Sequence, residues 1–167
     1  YGFRNKDVNG MVSVERLYNP FNRGKFKISA GRNFEFIYAG DAWVNVLKRS
    51  NIYLNNVVEI GHELQIFNGV HLFNNLQVAL RRSVAHYKVG TNTNSIFGIH
   101  NEPAIDFESY NATYNEVKLY LTPKLKYIRD AREKIFLGSK WPTFYGIWRK
   151  GVPKLFNSEI DFDYLEI

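Results

Sequence analysis

Residues 57–80 read VVEIGHELQIFNGVHLFNNLQVAL, and this stretch predicts a β-hairpin. Its turn is Phe67-Asn68-Gly69, because Asn and Gly tolerate the positive φ that tight hairpin turns demand. A two-residue Asn68-Gly69 loop would place Ile66 opposite His71 and mix polar and apolar side chains on both faces. A three-residue loop with Gly69 left-handed separates the two faces. Since a buried face fixes the register of a strand, we predict the three-residue loop.

This register gives the hairpin one apolar and one polar face. The apolar face pairs Ile66 with Val70, Leu64 with Leu72, Ile60 with Leu76 and Val58 with Val78. The polar face carries Glu59, Glu63, Gln65, His71, Asn75 and Gln77. His62 and Asn74 pair across the apolar face and interrupt it, which is costly if that face meets lipid.

The composition bounds the class of protein. The chain has 167 residues, enough for one domain, and no cysteine, which excludes disulfides and thiolate metal sites. An aromatic content of 16% favours strands or membrane interfaces over helical bundles. The net charge of +6 permits an anionic partner, yet Lys and Arg form no run longer than a pair. We therefore expect a solvated or lumenal basic surface and no nucleic-acid partner.

Alternating polar and apolar residues predict further strands along the chain. The alternation at 25–38 is longer than the ~5–6 residues of an ordinary strand and suits a tilted membrane strand of ~9–11. Other predicted strands are 12–18, 114–127 with a bulge at Pro123, 134–137, 143–150 and 158–167. Residues 41–50 fit either a short helix or a strand, and residues 88–112 predict a long polar loop. The prediction is an all-β antiparallel meander of about seven or eight strands, part of a transmembrane β-barrel.

Glu59, Glu63 and His71 project from one face of the hairpin, so a metal or acid–base site is conceivable. They are spread along the strands without a compact ligand motif, and a water-filled interior needs polar residues in any case. We therefore predict no catalytic residue, no cofactor and no metal site.

The acidic residues Asp161, Asp163 and Glu166 are weak evidence for calcium or glycosidase chemistry, and we expect a solvated or lumenal strand face instead. The triplet 111–113 fits the glycosylation sequon, which also arises by chance. The sequence has no glycine-rich phosphate loop, no serine nucleophile elbow and no zinc signature. We predict that the protein is not an enzyme.

Residues 137–144, LGSKWPTF, with KGVP at 150–153 and DFDY at 161–164, carry a resemblance. They resemble the C-terminal barrel region of a bacterial outer-membrane family of unknown function. Members of that family usually carry an N-terminal carboxypeptidase-regulatory-like domain, a small β-sandwich that is not itself a peptidase. The resemblance covers most of the chain and implies a transmembrane β-barrel without enzymatic residues. It also implies that residues 1–167, taken as a single region, are a fragment of a larger barrel domain.

Two functions remain open. The first is an outer-membrane β-barrel segment with a structural, transport or assembly-accessory role. Its partners would be outer-membrane lipid and the remaining strands of the barrel, or other outer-membrane proteins. The second is a soluble or surface-attached β-sandwich that binds carbohydrate or a small ligand through exposed aromatics. In the barrel, we expect the turn at 67–69 and residues 128–133 to be periplasmic, and residues 88–112 and 138–142 to be extracellular.

Overall fold

The structure, a computed structural model, describes residues 8–37, 52–87 and 104–167. In these ranges the chain forms nine β-strands and a short 3₁₀ turn at Leu155–Asn157. The strands are β1 (Gly10–Asn19), β2 (Gly24–Phe36), β3 (Ile52–Phe67), β4 (Val70–Ser83), β5 (Tyr110–Leu121), β6 (Lys126–Arg129), β7 (Lys134–Gly138), β8 (Phe144–Gly151) and β9 (Asp163–Glu166). No helix in the described part of the chain is long and apolar enough to cross a membrane.

Seven strands form one antiparallel sheet in the order β1-β2-β3-β4-β5-β8-β9, and β6 and β7 form a separate two-stranded sheet. The large sheet is a meander with a single excursion, the β6–β7 hairpin between β5 and β8. The predicted all-β antiparallel meander is confirmed. The long strands are confirmed as well, since β3 has 16 residues and β4 has 14.

The central hairpin confirms the predicted register along its body and corrects it at the turn. Leu64 lies opposite Leu72, Ile60 opposite Leu76 and Val58 opposite Val78. Gly69 has a φ of +84°, as predicted. However, Phe67 and not Ile66 lies opposite Val70, so the loop between paired residues is Asn68-Gly69 and Ile66 is the extra residue of a β-bulge. A bulge adds one residue to one strand. The loop can therefore have two residues while the apolar side chains of both strands stay on the same face.

The loop predicted to run through residue 112 is wrong at its end, because β5 begins at Tyr110 and pairs there with Arg81. Residues 88–103 and the segment 41–50, for which we predicted a helix or a strand, lie outside the described residues.

The single strand predicted for 114–127 is wrong. β5 ends at Leu121, and β6 belongs to the other sheet. Pro123 has no N–H to donate to a ladder, and Lys124 after it has a φ of +50°, so the chain turns away from the sheet instead of forming a bulge. The last predicted strand, 158–167, is confirmed only for Asp163–Glu166.

The two ends of the large sheet are defined by its connections. We call the end that carries the Asn68-Gly69 turn the turn end; there β1 connects to β2, β3 to β4 and β5 to β8. At the opposite end, the loop end, β2 connects to β3, β4 to β5 and β8 to β9. Leu121 pairs with Phe144 at the turn end, so the whole segment 122–143 is attached to the sheet at that end. The prediction that residues 128–133 and 138–142 lie at opposite ends is therefore wrong, because both lie in this one connection.

Candidate functional site

One face of the large sheet, the apolar face, is built from apolar rows that run across several strands. One row is Val12, Ala30, Val58 and Val78, and the next is Val14, Ile28, Ile60 and Leu76. Ile28 is 54% exposed, and Val58 and Ile60 are each 48% exposed. Contiguous exposed apolar surface of this kind is rare on monomeric soluble proteins and marks an interaction surface.

The opposite face, the polar face, carries the polar side chains and is the more buried one. One of its rows is Ser13, Ser29, Glu59, Gln77 and Tyr114, and another is Asn33, Asn55, Arg81 and Tyr110. Asn55 is fully buried and Gln77 is only 3% exposed. Polar side chains are thus buried on this face, while apolar side chains are exposed on the other.

Near the loop end, the polar face is organised around the Glu35 carboxylate. Glu35 accepts hydrogen bonds from the Tyr53 hydroxyl at 2.6 Å and from Asn55 Nδ2 at 2.8 Å. The Arg81 guanidinium lies 5.4 Å from the centre of the Tyr53 ring and donates to the Tyr110 hydroxyl at 3.3 Å. Charged groups on this face are thus stabilised by neutral donors and by aromatic rings.

Several buried polar atoms of the same region have no protein partner. They are Asn33 Oδ1, Asn55 Oδ1, Gln77 Oε1 and Arg81 Nε. A buried polar atom without a hydrogen bond is costly unless water or a ligand satisfies it. The polar face is therefore chemically suited to be wet.

Toward the turn end, ion pairs line the polar face. Glu116 is held by Lys118 at 3.0 Å and by Arg149, and Lys25 bridges Glu63 at 2.9 Å. All of these groups except Arg149 line a cavity of about 330 Å³, whose lining also includes Glu15, Lys27, Glu59 and Asn75. Carboxylates and ammonium groups alternate around this space, so it does not favour one sign of charge.

The structure does not bring Glu59, Glu63 and His71 together. Glu59 accepts from the Ser29 hydroxyl at 3.0 Å, Glu63 pairs with Lys25, and the His71 ring lies 6.0 Å from the Phe136 ring. In residues 8–37, 52–87 and 104–167, no group of three His, Asp or Glu side chains could hold a metal ion.

Of the acidic residues near the C-terminus, Asp163 and Glu166 lie on β9, and Asp161 lies just before it. Lys150 Nζ contacts Asp161 at 3.4 Å and Asp163 at 3.5 Å, while Trp148 Nε1 donates to Asp163 at 2.6 Å. Glu166 accepts from the hydroxyls of two tyrosines, Tyr145 and Tyr164. Each of these three carboxylates has local partners that occupy it.

The polar interruptions of the apolar face have partners that strand alternation did not reveal. The Tyr18 hydroxyl lies 2.7 Å from His62 Nε2, and the His62 ring stacks on Phe26 with centroids 4.5 Å apart. Asn74 Nδ2 donates to Asn115 Oδ1 at 3.0 Å. Tyr18 has the same parity along β1 as Val12 and Val14, so alternation places it on this face, but its contact with His62 joins residues 44 positions apart.

The β6–β7 hairpin, residues 126–138, crosses the turn end of the polar face, and we call it the strap. Lys134 Nζ donates to Gln65 Oε1 on β3 at 2.9 Å and to Asn22 Oδ1 in the β1–β2 turn at 3.2 Å. The Arg23 guanidinium lies 4.3 Å from the centre of the Phe136 ring. The sequence predicts strand β7 but contains no local signal for its docking, because the contacts join residues that are far apart in the chain.

Comparison with known proteins identifies one family. A family model described as Family of unknown function (DUF5686) C-terminal domain matches residues 1–167. No curated protein and no solved structure matches the chain. The family description assigns no activity, so a function has to be argued from the faces of the sheet.

Proposed function

Since the chain belongs to the DUF5686 C-terminal domain family, whose function is unknown, we propose that its sheet is a segment of a β-barrel in a bacterial outer membrane. The apolar face contacts lipid, and the polar face lines the interior. The observation that carries this proposal is the inverted burial of the sheet, with valines and isoleucines exposed and Asn55 and Gln77 buried. Membrane barrels have this arrangement because their strands alternate between lipid and a wet lumen.

The length of the apolar face supports the same proposal. From Phe26 to Phe36, β2 advances by ten residues. At ~3.3 Å per residue and a tilt of ~40°, this stretch spans about 25 Å, the height of the apolar band of membrane barrels. Aromatic side chains mark both limits, with Phe26, Phe144 and Trp148 toward the turn end and Phe34 and Phe36 toward the loop end. Such residues form the girdles at membrane–water interfaces.

The free edges of the sheet indicate the partners. In the described part of the chain, β1 and β9 each pair on one side only. Unpaired backbone N–H and C=O groups are not tolerated in hydrocarbon, so both edges require further strands. The remaining strands of the same barrel supply them, or else strands of a partner outer-membrane protein. The role is structural, in transport or in assembly, and not catalytic.

The alternative is a soluble or surface-attached β-sandwich that binds carbohydrate or a small ligand. A sandwich covers its apolar face with a second sheet. In residues 8–37, 52–87 and 104–167, the other sheet is the strap, and its contacts with β3 and β4 are on the polar face. This placement favours the barrel.

Fractionation of bacteria that express the full-length protein tests the proposal. We expect the protein in the outer-membrane fraction, resistant to extraction by carbonate. We also expect its mobility on an SDS gel to change on boiling, because folded membrane barrels resist SDS until heated. Release into the soluble fraction, with no change in mobility, would favour the sandwich.

A further inference from the structure

We propose that the strap is a gate that closes the turn end of the polar interior to small hydrophilic solutes. This inference rests on the proposed barrel and adds a transport function to it. The gate is held by contacts of Lys134 and Phe136, and its release connects the wet interior with the solvent beyond the turn end.

The path of the strap across the sheet is the first argument. The strap starts and ends between the paired residues Leu121 and Phe144, yet it reaches His71 on β4, Gln65 on β3 and Asn22 in the β1–β2 turn. The β2 strand is three strands away from β5 in the sheet, a distance of about 14 Å at ~4.8 Å per strand. His71 and Gln65 both lie on the polar face, so the strap crosses this face. The strap covers the Gln65 side chain, which is only 1% exposed.

The nature of the attachment is the second argument. The strap forms its own two-stranded sheet and shares no ladder with the large sheet among the described residues. Its contacts are made by side chains, with Lys134 Nζ on two neutral oxygens and 4.4 Å from the Phe21 ring centre. Partial loss of hydration beside these groups lowers the pKa of the Lys134 ammonium. An isolated two-stranded hairpin is marginally stable, and elements with few fixed contacts open at low free energy.

The cavity on the polar face defines the solute; Glu63 in its lining lies two residues from Gln65, which the strap contacts. The cavity of about 330 Å³ is lined by carboxylates and by lysines, among them Glu59, Glu63, Lys25 and Lys27. Because the lining contains both carboxylates and ammonium groups, it does not strongly select cations or anions. It does favour polar over apolar molecules. The solute class is therefore small, hydrophilic and either neutral or zwitterionic.

The test uses the full-length protein in liposomes and measures swelling with a neutral monosaccharide as the probe. The gate variant is Lys134→Ala with Phe136→Ala, which removes the contacts with Gln65, Asn22, Arg23 and His71 and leaves that of Arg129 with Phe21 in place. The matched control is Lys126→Ala with Ile135→Ala, a Lys and an apolar residue of the same hairpin that are exposed. We expect several-fold faster swelling with the gate variant than with the wild type, and wild-type rates with the control.

A change of gel mobility on boiling verifies that each variant is folded, and failure of the wild type in that assay counts against the barrel itself. Equal swelling rates for the wild type, the gate variant and the control, all folded, would overturn the gate while leaving the barrel intact. If the gate variant does not fold, replacement of residues 126–138 by a short Gly-Ser linker decides the question. A folded linker variant that swells no faster than the wild type also overturns the gate.

Discussion

Gly69 and Gly138 both adopt a positive φ, of +84° and +94°, but their surroundings differ. A side chain at Gly69 would collide with the backbone oxygen of Thr122, whose N–H donates to the Gly69 carbonyl at 2.7 Å. A side chain at Gly138 would meet open space. At the residue scale, the central turn is therefore fixed both by its backbone conformation and by contact with the residue that follows β5.

This difference predicts unequal effects of the same substitution. Gly138→Ala should cost roughly 1–2 kcal/mol of unfolding free energy, the usual penalty of left-handed backbone for an L-residue. Gly69→Ala should cost about 1–3 kcal/mol more, because the added methyl group is also overpacked. Urea unfolding of the full-length protein in detergent micelles, followed by gel mobility, measures both. Equal costs would show that the contact between Gly69 and Thr122 is absent.

At the element scale, β3 and β4 separate the side chains that meet different environments. Val58 is 48% exposed and lies in the middle of the apolar face, flanked by Ala30 and Val78. Asn75 lies on the polar face and lines the cavity near Glu63. An arginine at Asn75 would have carboxylates nearby, whereas an arginine at Val58 would have apolar neighbours and, in the proposed barrel, lipid.

A pair of arginine substitutions tests these two environments. In a membrane barrel, Val58→Arg near the midplane should cost roughly 2–4 kcal/mol, whereas Asn75→Arg should be nearly neutral. In a water-soluble protein, Val58→Arg at an exposed site should change stability by no more than about 0.5 kcal/mol. Unfolding in lipid bilayers measures both variants. Equal losses of unfolding free energy for the two variants would contradict the proposal that the apolar face contacts lipid.

At the scale of the whole molecule, the sheet has an exposed apolar face and two unpaired edges in its described part. Both features favour association in water. We therefore expect purified residues 1–167, without detergent, to aggregate, and to become monodisperse when a mild detergent covers the apolar face. Sedimentation velocity with and without detergent distinguishes these states. A soluble monomer that unfolds cooperatively without detergent would contradict the barrel.

Local alternation determined much of this fold. The period of two at 57–80 predicted the pairs Leu64–Leu72 and Ile60–Leu76, because the pleat sends alternate residues to opposite faces and a mixed face would be unstable. It also predicted which face is polar. Neither inference needs a contact between distant parts of the chain.

Features that depend on contacts between distant residues were decided only by the tertiary structure. The bulge at Ile66 and the path of the strap depend on which strands pair and on which turns meet at the end of the sheet. The partners of Lys134 and His62 are 69 and 44 residues away in the sequence, so no local pattern contains them. Burial of the polar face likewise depends on contacts between distant residues, as where the strap covers Gln65.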